Sequence, residues 1–130
     1  MELVEDWTDY NKSLIWDIAT KHFQESGIYS YNLQNTNGIP NLLTNSYPHA
    51  LSFIKLVKAN LKNYPTNKVI QILDVGSGSG MFARFCLIAA RELGIIDRIE
   101  FLLSDISNTA LKEIEEKAIL TEFQGHYKLL

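Results

Sequence analysis

The apolar positions of this 130-residue chain change period several times, and each change predicts an element. Trp7, Tyr10, Leu14 and Ile18 recur at steps of three, four and four. That is one face of a helix, predicted from Asp6 or Thr8 to Ser26 with Gly27 as its stop. Gly27 to Ser46 then breaks the rhythm: twenty residues hold five asparagines, Gly38 and Pro40. This reads as loop and turn, and a loop so long in one domain suits a lid or binding loop. A second helix is predicted from Ser46-Tyr47-Pro48, since proline fits the first turn. Ala50, Phe53, Ile54, Val57 and Leu61 form its apolar face, and Asn63 to Asn67 breaks it.

Beyond that point strands and helices alternate. Val69 to Asp74 is the first predicted strand. Gly80 to Leu93 is a helix with Phe82, Phe85, Cys86, Ala89 and Leu93 facing inward. Ile99 to Ser104 is the second strand. Ser107 to Leu120 is a helix with Leu111, Ile114 and Ala118 on one side and the pair Glu113–Lys117 on the other. His126 to Leu130 is a short third strand. The alternation predicts βαβ units: an α/β fold of about three parallel strands flanked by helices, with an N-terminal helical extension. The expected strand order is 3-2-1. Residues 1–45 form the N-terminal helix and loop, and residues 46–130 the α/β domain.

The chemistry concentrates in Ile72-Leu73-Asp74-Val75-Gly76-Ser77-Gly78-Ser79-Gly80. An apolar strand ends in an acid, and three glycines follow at alternate positions. Glycines there let a backbone come close to a ligand, and successive N–H groups predict a concave, weakly positive nest. A dinucleotide fingerprint would need a third glycine where Met81 stands, and a phosphate-binding P-loop would need a lysine. No lysine occurs between Lys68 and Lys112. At the tip of the second strand stands Asp105, 25 residues after Gly80. An acid there can take both ribose hydroxyls of a nucleoside, or it can cap the helix that follows. Asp74 has a ligand reading and a reading as turn former. Ser77 and Ser79 are turn fillers and possible hydrogen-bond donors.

The string Ile72 to Gly80 followed by an apolar helix resembles motif I of the S-adenosylmethionine-dependent methyltransferases with a Rossmann-like fold. Ser104-Asp105-Ile106-Ser107-Asn108-Thr109-Ala110-Leu111 resembles the segment after their second strand. The resemblance covers residues 46–130 and implies a partial Rossmann-like methyltransferase fold with S-adenosylmethionine as cofactor. It implies Asp105 as the ribose ligand and Ile106 as an adenine neighbour. Asp74 would order the methionine end, and Gly76, Ser77, Gly78 and Gly80 would line the cofactor. The aromatics Tyr29, Tyr31 and Tyr47 are candidates either for a pocket wall or for packing.

Composition narrows the classes further. Hydrophobic residues are 46% and charged residues 21%, ordinary for a globular domain. A net charge of −3 argues against a nucleic-acid partner, since such surfaces are strongly basic. No run of 18 apolar residues predicts a membrane span. The acidic N-terminus lacks a secretory h-region, and Cys86 is the sole cysteine. These features point to a cytoplasmic protein without internal disulfides. His22, His49 and His126 lie far apart and predict no metal site. A whole methyltransferase fold of this type has seven strands, and this chain supplies about three. The first strand is then an apolar edge, and such an edge invites association. The expected partners are therefore the small-molecule cofactor and either a second copy, as a homodimer, or a missing C-terminal half. The alternative function is a non-catalytic interaction or dimerisation module on a truncated methyltransferase fold.

Overall fold

Three strands, β1 (Ile70–Val75), β2 (Ile99–Ser104) and β3 (Tyr127–Leu129), form one parallel sheet in the order β1-β2-β3. The computed structural model describes residues 5–27 and 46–130. Strand order and direction match those expected from the sequence. β2 has the predicted bounds, and β1 is displaced by one residue.

The register assigns side chains to two faces, because partners across a parallel ladder point the same way. Ile72 pairs with Phe101, which pairs with Tyr127; Asp74 pairs with Leu103, which pairs with Leu129. On this face Ile99, Phe101 and Leu103 are fully buried beneath the helices. The opposite face carries Gln71, Leu73, Val75, Glu100, Leu102 and Lys128. Glu100 binds Lys128 at 2.8 Å and accepts from Gln71 at 2.7 Å. These two contacts hold its carboxyl below the usual range. Leu73 and Val75 stay 57% and 75% exposed.

Among the described residues four α-helices accompany the sheet: α1 (Leu14–Ser26), α2 (Tyr47–Asn60), α3 (Met81–Glu92) and α4 (Asn108–Glu116). The buried stripe of α3 is built from Ala83, Cys86, Leu87, Ala89 and Ala90. The three alanines let α2 approach closely with Ala50 and Ile54. Phe82 and Phe85, expected to face inward, are only half-buried. Phe82 meets Phe53 and His49, and Phe85 meets Tyr47 edge-on. Burying one large side chain such as Phe101 contributes roughly 1.5–3 kcal/mol.

Two predicted helix bounds are corrected. The first helix begins at Leu14, because Ser13 caps it: its hydroxyl oxygen accepts from the Ile15 N–H at 3.3 Å. Glu5 completes the cap by accepting from the Ser13 hydroxyl and the Leu14 N–H. Trp7 and Tyr10 therefore precede the helix and are exposed, although their spacing continues its period. The last helix ends at Glu116 rather than Leu120. Ala118 turns left-handed at φ 55°. The Ile119 N–H reaches back to Ile114 O and the Ala118 N–H to Glu115 O, the paired closure of a Schellman motif. Ala118 is consequently exposed rather than on the apolar side. The predicted ion pair Glu113–Lys117 is present at 3.0 Å. Most of the predicted lid, with Tyr29 and Tyr31, lies outside the described residues.

Candidate functional site

At Val75 the main chain leaves the sheet and turns through Gly76, Gly78 and Gly80, with φ of 74°, 51° and 72°. The turn is fastened to the tip of β2. The N–H groups of Gly76 and Ser77 both donate to Ser104 O, at 2.8 and 3.0 Å. The Gly80 N–H donates to Ser77 O at 2.9 Å. The Gly78 N–H donates to Asp105 Oδ2 at 2.7 Å. The expected nest of free N–H groups is therefore corrected: these four amides are already satisfied inside the chain. Ser104, whose carbonyl serves two of them, carried no signal in the sequence.

The glycines differ in what surrounds them. A Cβ on Gly76 would meet nothing within 4 Å, so its side of the turn faces open space. A Cβ on Gly80 would lie 3.1 Å from Ile114 Cδ1 of α4. Gly80 thus serves close packing between the turn and α4, whereas Gly76 leaves the main chain approachable.

Asp105 holds two segments together. Its Oδ2 takes the Gly78 N–H and its Oδ1 takes the Ser107 N–H at 2.8 Å. Ser107 itself caps α4, accepting from the Ala110 N–H at 3.1 Å. Its hydroxyl donates to Phe23 O of α1 at 2.9 Å, so α1 is fastened to the same junction. The capping reading of Asp105 is thus realised in part, with Ser107 as the N-cap proper. A carboxylate offers about four lone-pair directions, so two bonds leave capacity for a further donor. The side chain of Ile106, next along the chain, is 62% exposed.

Asp74 is set differently. Its Oδ2 is sealed from solvent with no hydrogen-bond partner. Burial raises its pKa, and the nearby charge of Asp105 raises it further. The same surroundings act on Cys86 of α3: burial, then Asp74, push its thiol far up, so it stays protonated. Ser77 is 8% exposed, and its hydroxyl oxygen also lacks a partner. Asp74, Gly76, Ser77, Gly78, Gly80 and Asp105 thus gather at the carboxyl ends of β1 and β2. Two carboxyls and two unpartnered buried oxygens thus stand together at the strand tips.

Tyr47 does not join them. Its hydroxyl bonds to Glu92 of α3, and that bond raises its pKa. A shallow depression lined by Glu115, Gln124, Gly125, Tyr127, Lys128 and Leu129 includes none of the turn residues. It holds one acid and one base and no convergent polar set, so the turn remains the candidate. Among the described residues no three His, Cys, Asp or Glu side chains gather closely enough to hold a metal ion. No described helix is long and apolar enough to cross a membrane. In comparisons with known proteins, no family model, no curated protein and no solved structure matches this chain.

Proposed function

We propose that this chain is an S-adenosylmethionine-binding, methyltransferase-like domain. The observation that carries the reading is the electrostatics of the glycine turn. The amides of Gly76, Ser77, Gly78 and Gly80 all donate within the chain, so a phosphate finds them engaged. Two carboxyls, Asp74 and Asp105, stand at the strand tips instead. Among the described residues neither forms an ion pair. A phosphate-bearing nucleotide is repelled by such a pair of carboxyls, and a ligand carrying a sulfonium and an ammonium is attracted.

The residues fit that cofactor in three respects. Gly76 leaves space for close approach. Asp105 keeps lone pairs for a vicinal diol after its two main-chain bonds. Ile106 offers an exposed apolar surface to a heteroaromatic base. When bound, S-adenosylmethionine supplies a methyl group on a positively charged sulfur, open to in-line attack. The chain's contribution is orientation: Asp105 holds the turn by Gly78, and the turn in turn fixes where a ligand can lie.

Calorimetric titration tests the reading. S-adenosylmethionine should bind in the micromolar range, and NAD should not bind. Gly76→Val, which fills the open space from the main chain, should abolish binding while the chain still folds. Failure of the wild-type chain to bind S-adenosylmethionine overturns the reading. The second reading, an interaction module, is favoured by one observation: among the described residues β1 is an edge strand, with Val69, Leu73 and Val75 exposed. A concentration-dependent dimer that binds neither nucleotide would favour it.

A further inference from the structure

Among the described residues, nothing covers the outer side of the N-terminal helix. α1 buries none of its own residues. Leu14, Ile15 and Ile18 share one of its faces and are exposed, and so are Trp7 and Tyr10 just before it. These side chains form an ordered surface. The Trp16 indole N–H donates to Tyr10 O at 2.6 Å, and the two rings meet edge-on at 5.0 Å. Beside them lies an open depression of about 410 Å³, lined by Glu5, Asp6, Trp7, Thr8, Tyr10 and Ser13. Two carboxyls and two aromatic rings there suit an ammonium carried on an aliphatic stem. An exposed apolar patch rimmed by polar groups marks an interaction surface.

Charge decides which partner fits. Residues 5–27 hold Glu5, Asp6, Asp9, Asp17 and Glu25 against Lys12 and Lys21, an acidic excess. Residues 47–69 hold Lys55, Lys58, Lys62 and Lys68 and no acid. None of these four lysines forms an ion pair among the described residues. Glu92 of α3 meets this segment only at its far end, on the Tyr47 hydroxyl. Lys55, Leu56, Ala59 and Lys62 recur at steps of one, three and three, so they share one stripe of α2 and the turn after it. All four are exposed, Leu56 by 66%. Residues 28–45 contain no Asp, Glu, Lys or Arg and add no charge to either surface.

We propose that the acidic, apolar surface of α1 docks on the basic stripe of α2 in a second copy of this chain. The other helix pairings between copies set like charges together: α1 on α1 brings acid to acid, and α2 on α2 brings lysine to lysine. The crossed pairing sets Leu56 against the apolar side chains of α1 and offers a lysine to the recess of Glu5, Asp6, Trp7 and Tyr10. A two-fold axis repeats the contact with the roles exchanged, so the assembly closes at two copies. This dimer is independent of the cofactor reading, because neither surface holds a residue of the glycine turn. It is also distinct from pairing of β1 edges, which uses neither helix.

Sedimentation equilibrium of the full chain, with charge-reversal variants, tests the proposal. The wild-type chain should dimerise, and its dissociation constant should rise about tenfold between ~0.05 and ~0.5 M salt as the facing charges are screened. Lys55→Glu with Lys62→Glu sets acids on the stripe that faces α1. Asp6→Lys with Asp17→Lys sets lysines on the surface that faces α2. All four positions are exposed, so circular dichroism should show both variants folded like the wild type. Each variant alone should be monomeric. An equimolar mixture of the two should dimerise again, since both contacts of the two-fold then carry opposite charges. A wild-type chain that stays monomeric at every concentration overturns the proposal. So does a variant that still dimerises alone, which assigns the contact to another surface such as the β1 edge, and so does a mixture that stays dissociated.

Discussion

The strand–turn–helix unit occurs twice among the described residues, and the two copies make the connection with different residues and different backbone: three left-handed glycines in the first, no left-handed residue in the second. After β1 come three glycines, and the last of them, Gly80, stands at the N-cap of α3 with no side-chain cap. After β2 come Asp105 and Ser107, and Ser107 caps α4 from a buried position. The second passage from strand to helix is made without a single glycine. A βα connection can therefore be made without glycine, but the left-handed path of the first turn calls for it at all three positions. Gly80 is explained by Ile114 of α4. Gly76, with open space beside it, is required by its left-handed backbone rather than by packing, and that open space supports the first turn as the proposed ligand site.

Substitution at the two glycines tests that division most strongly. Gly80→Ala should cost about 2–3 kcal/mol: left-handed backbone strain of about 1–2 kcal/mol, plus displacement of Ile114. Gly76→Ala should cost only the strain, about 1–2 kcal/mol, because its Cβ meets nothing. Urea unfolding of both variants measures the difference. Equal losses would mean that the contact with Ile114 is not what distinguishes the two positions. The cap of the second unit comes next. Ser107→Ala should cost about 1–2 kcal/mol, since it removes the N-cap and the donor to Phe23 O together. Amide hydrogen exchange should accelerate along α1, which this hydroxyl ties to the junction. Unchanged exchange there would show that α1 is held by other contacts.

The helix ends extend the comparison. α3 closes at Gly94, with φ 67°, the Gly94 N–H on Arg91 O and the Ile95 N–H on Ala90 O. α4 closes with the same pair of bonds, but Ala118 occupies the left-handed position. Ala118→Gly should therefore stabilise the chain, by up to about 1 kcal/mol, once the lower strain is set against the extra freedom of glycine when unfolded. Thermal unfolding measures it. A loss would mean that the exposed Ala118 side chain contributes more than its strain costs.

How much of this was legible beforehand follows from the range of the interactions. Elements fixed by short-range pattern were readable: β2 from its apolar run, and the start of α2 from Pro48. The order of the strands followed from the alternation with helices. The spacing of Trp7, Tyr10, Leu14 and Ile18 misled, because periodicity continues through a cap that depends on Glu5, nine residues from the Leu14 N–H it binds. Ala118 misled because nothing in an alanine announces a left-handed turn. At the site, the glycines and both acids were legible as residue types in a known spacing. The closing of the nest was not: the bond from Gly78 to Asp105 spans 27 residues and depends on how two strand tips meet. The sealed oxygen of Asp74 depends on burial that only the packed helices create.

The two acids complete the comparison and carry the smallest of the expected effects. Asp105 has a main-chain donor on each oxygen, while Asp74 has one oxygen with none. Burial and the charge of Asp105 raise the pKa of Asp74 in the folded chain above its unfolded value. The folded state thus holds the proton more tightly. The resulting stability is fully present below the unfolded ionisation and is lost as pH rises through the folded one. Asp74→Asn keeps the size of the side chain and removes the ionisation. Unfolding of both proteins at a series of pH values should therefore give a difference that moves in favour of the variant from acid toward neutral solution. A difference independent of pH would mean that Asp74 ionises normally in the folded chain. The distinction between a sealed acid in the first unit and a bonded acid in the second would then fail at its most specific point.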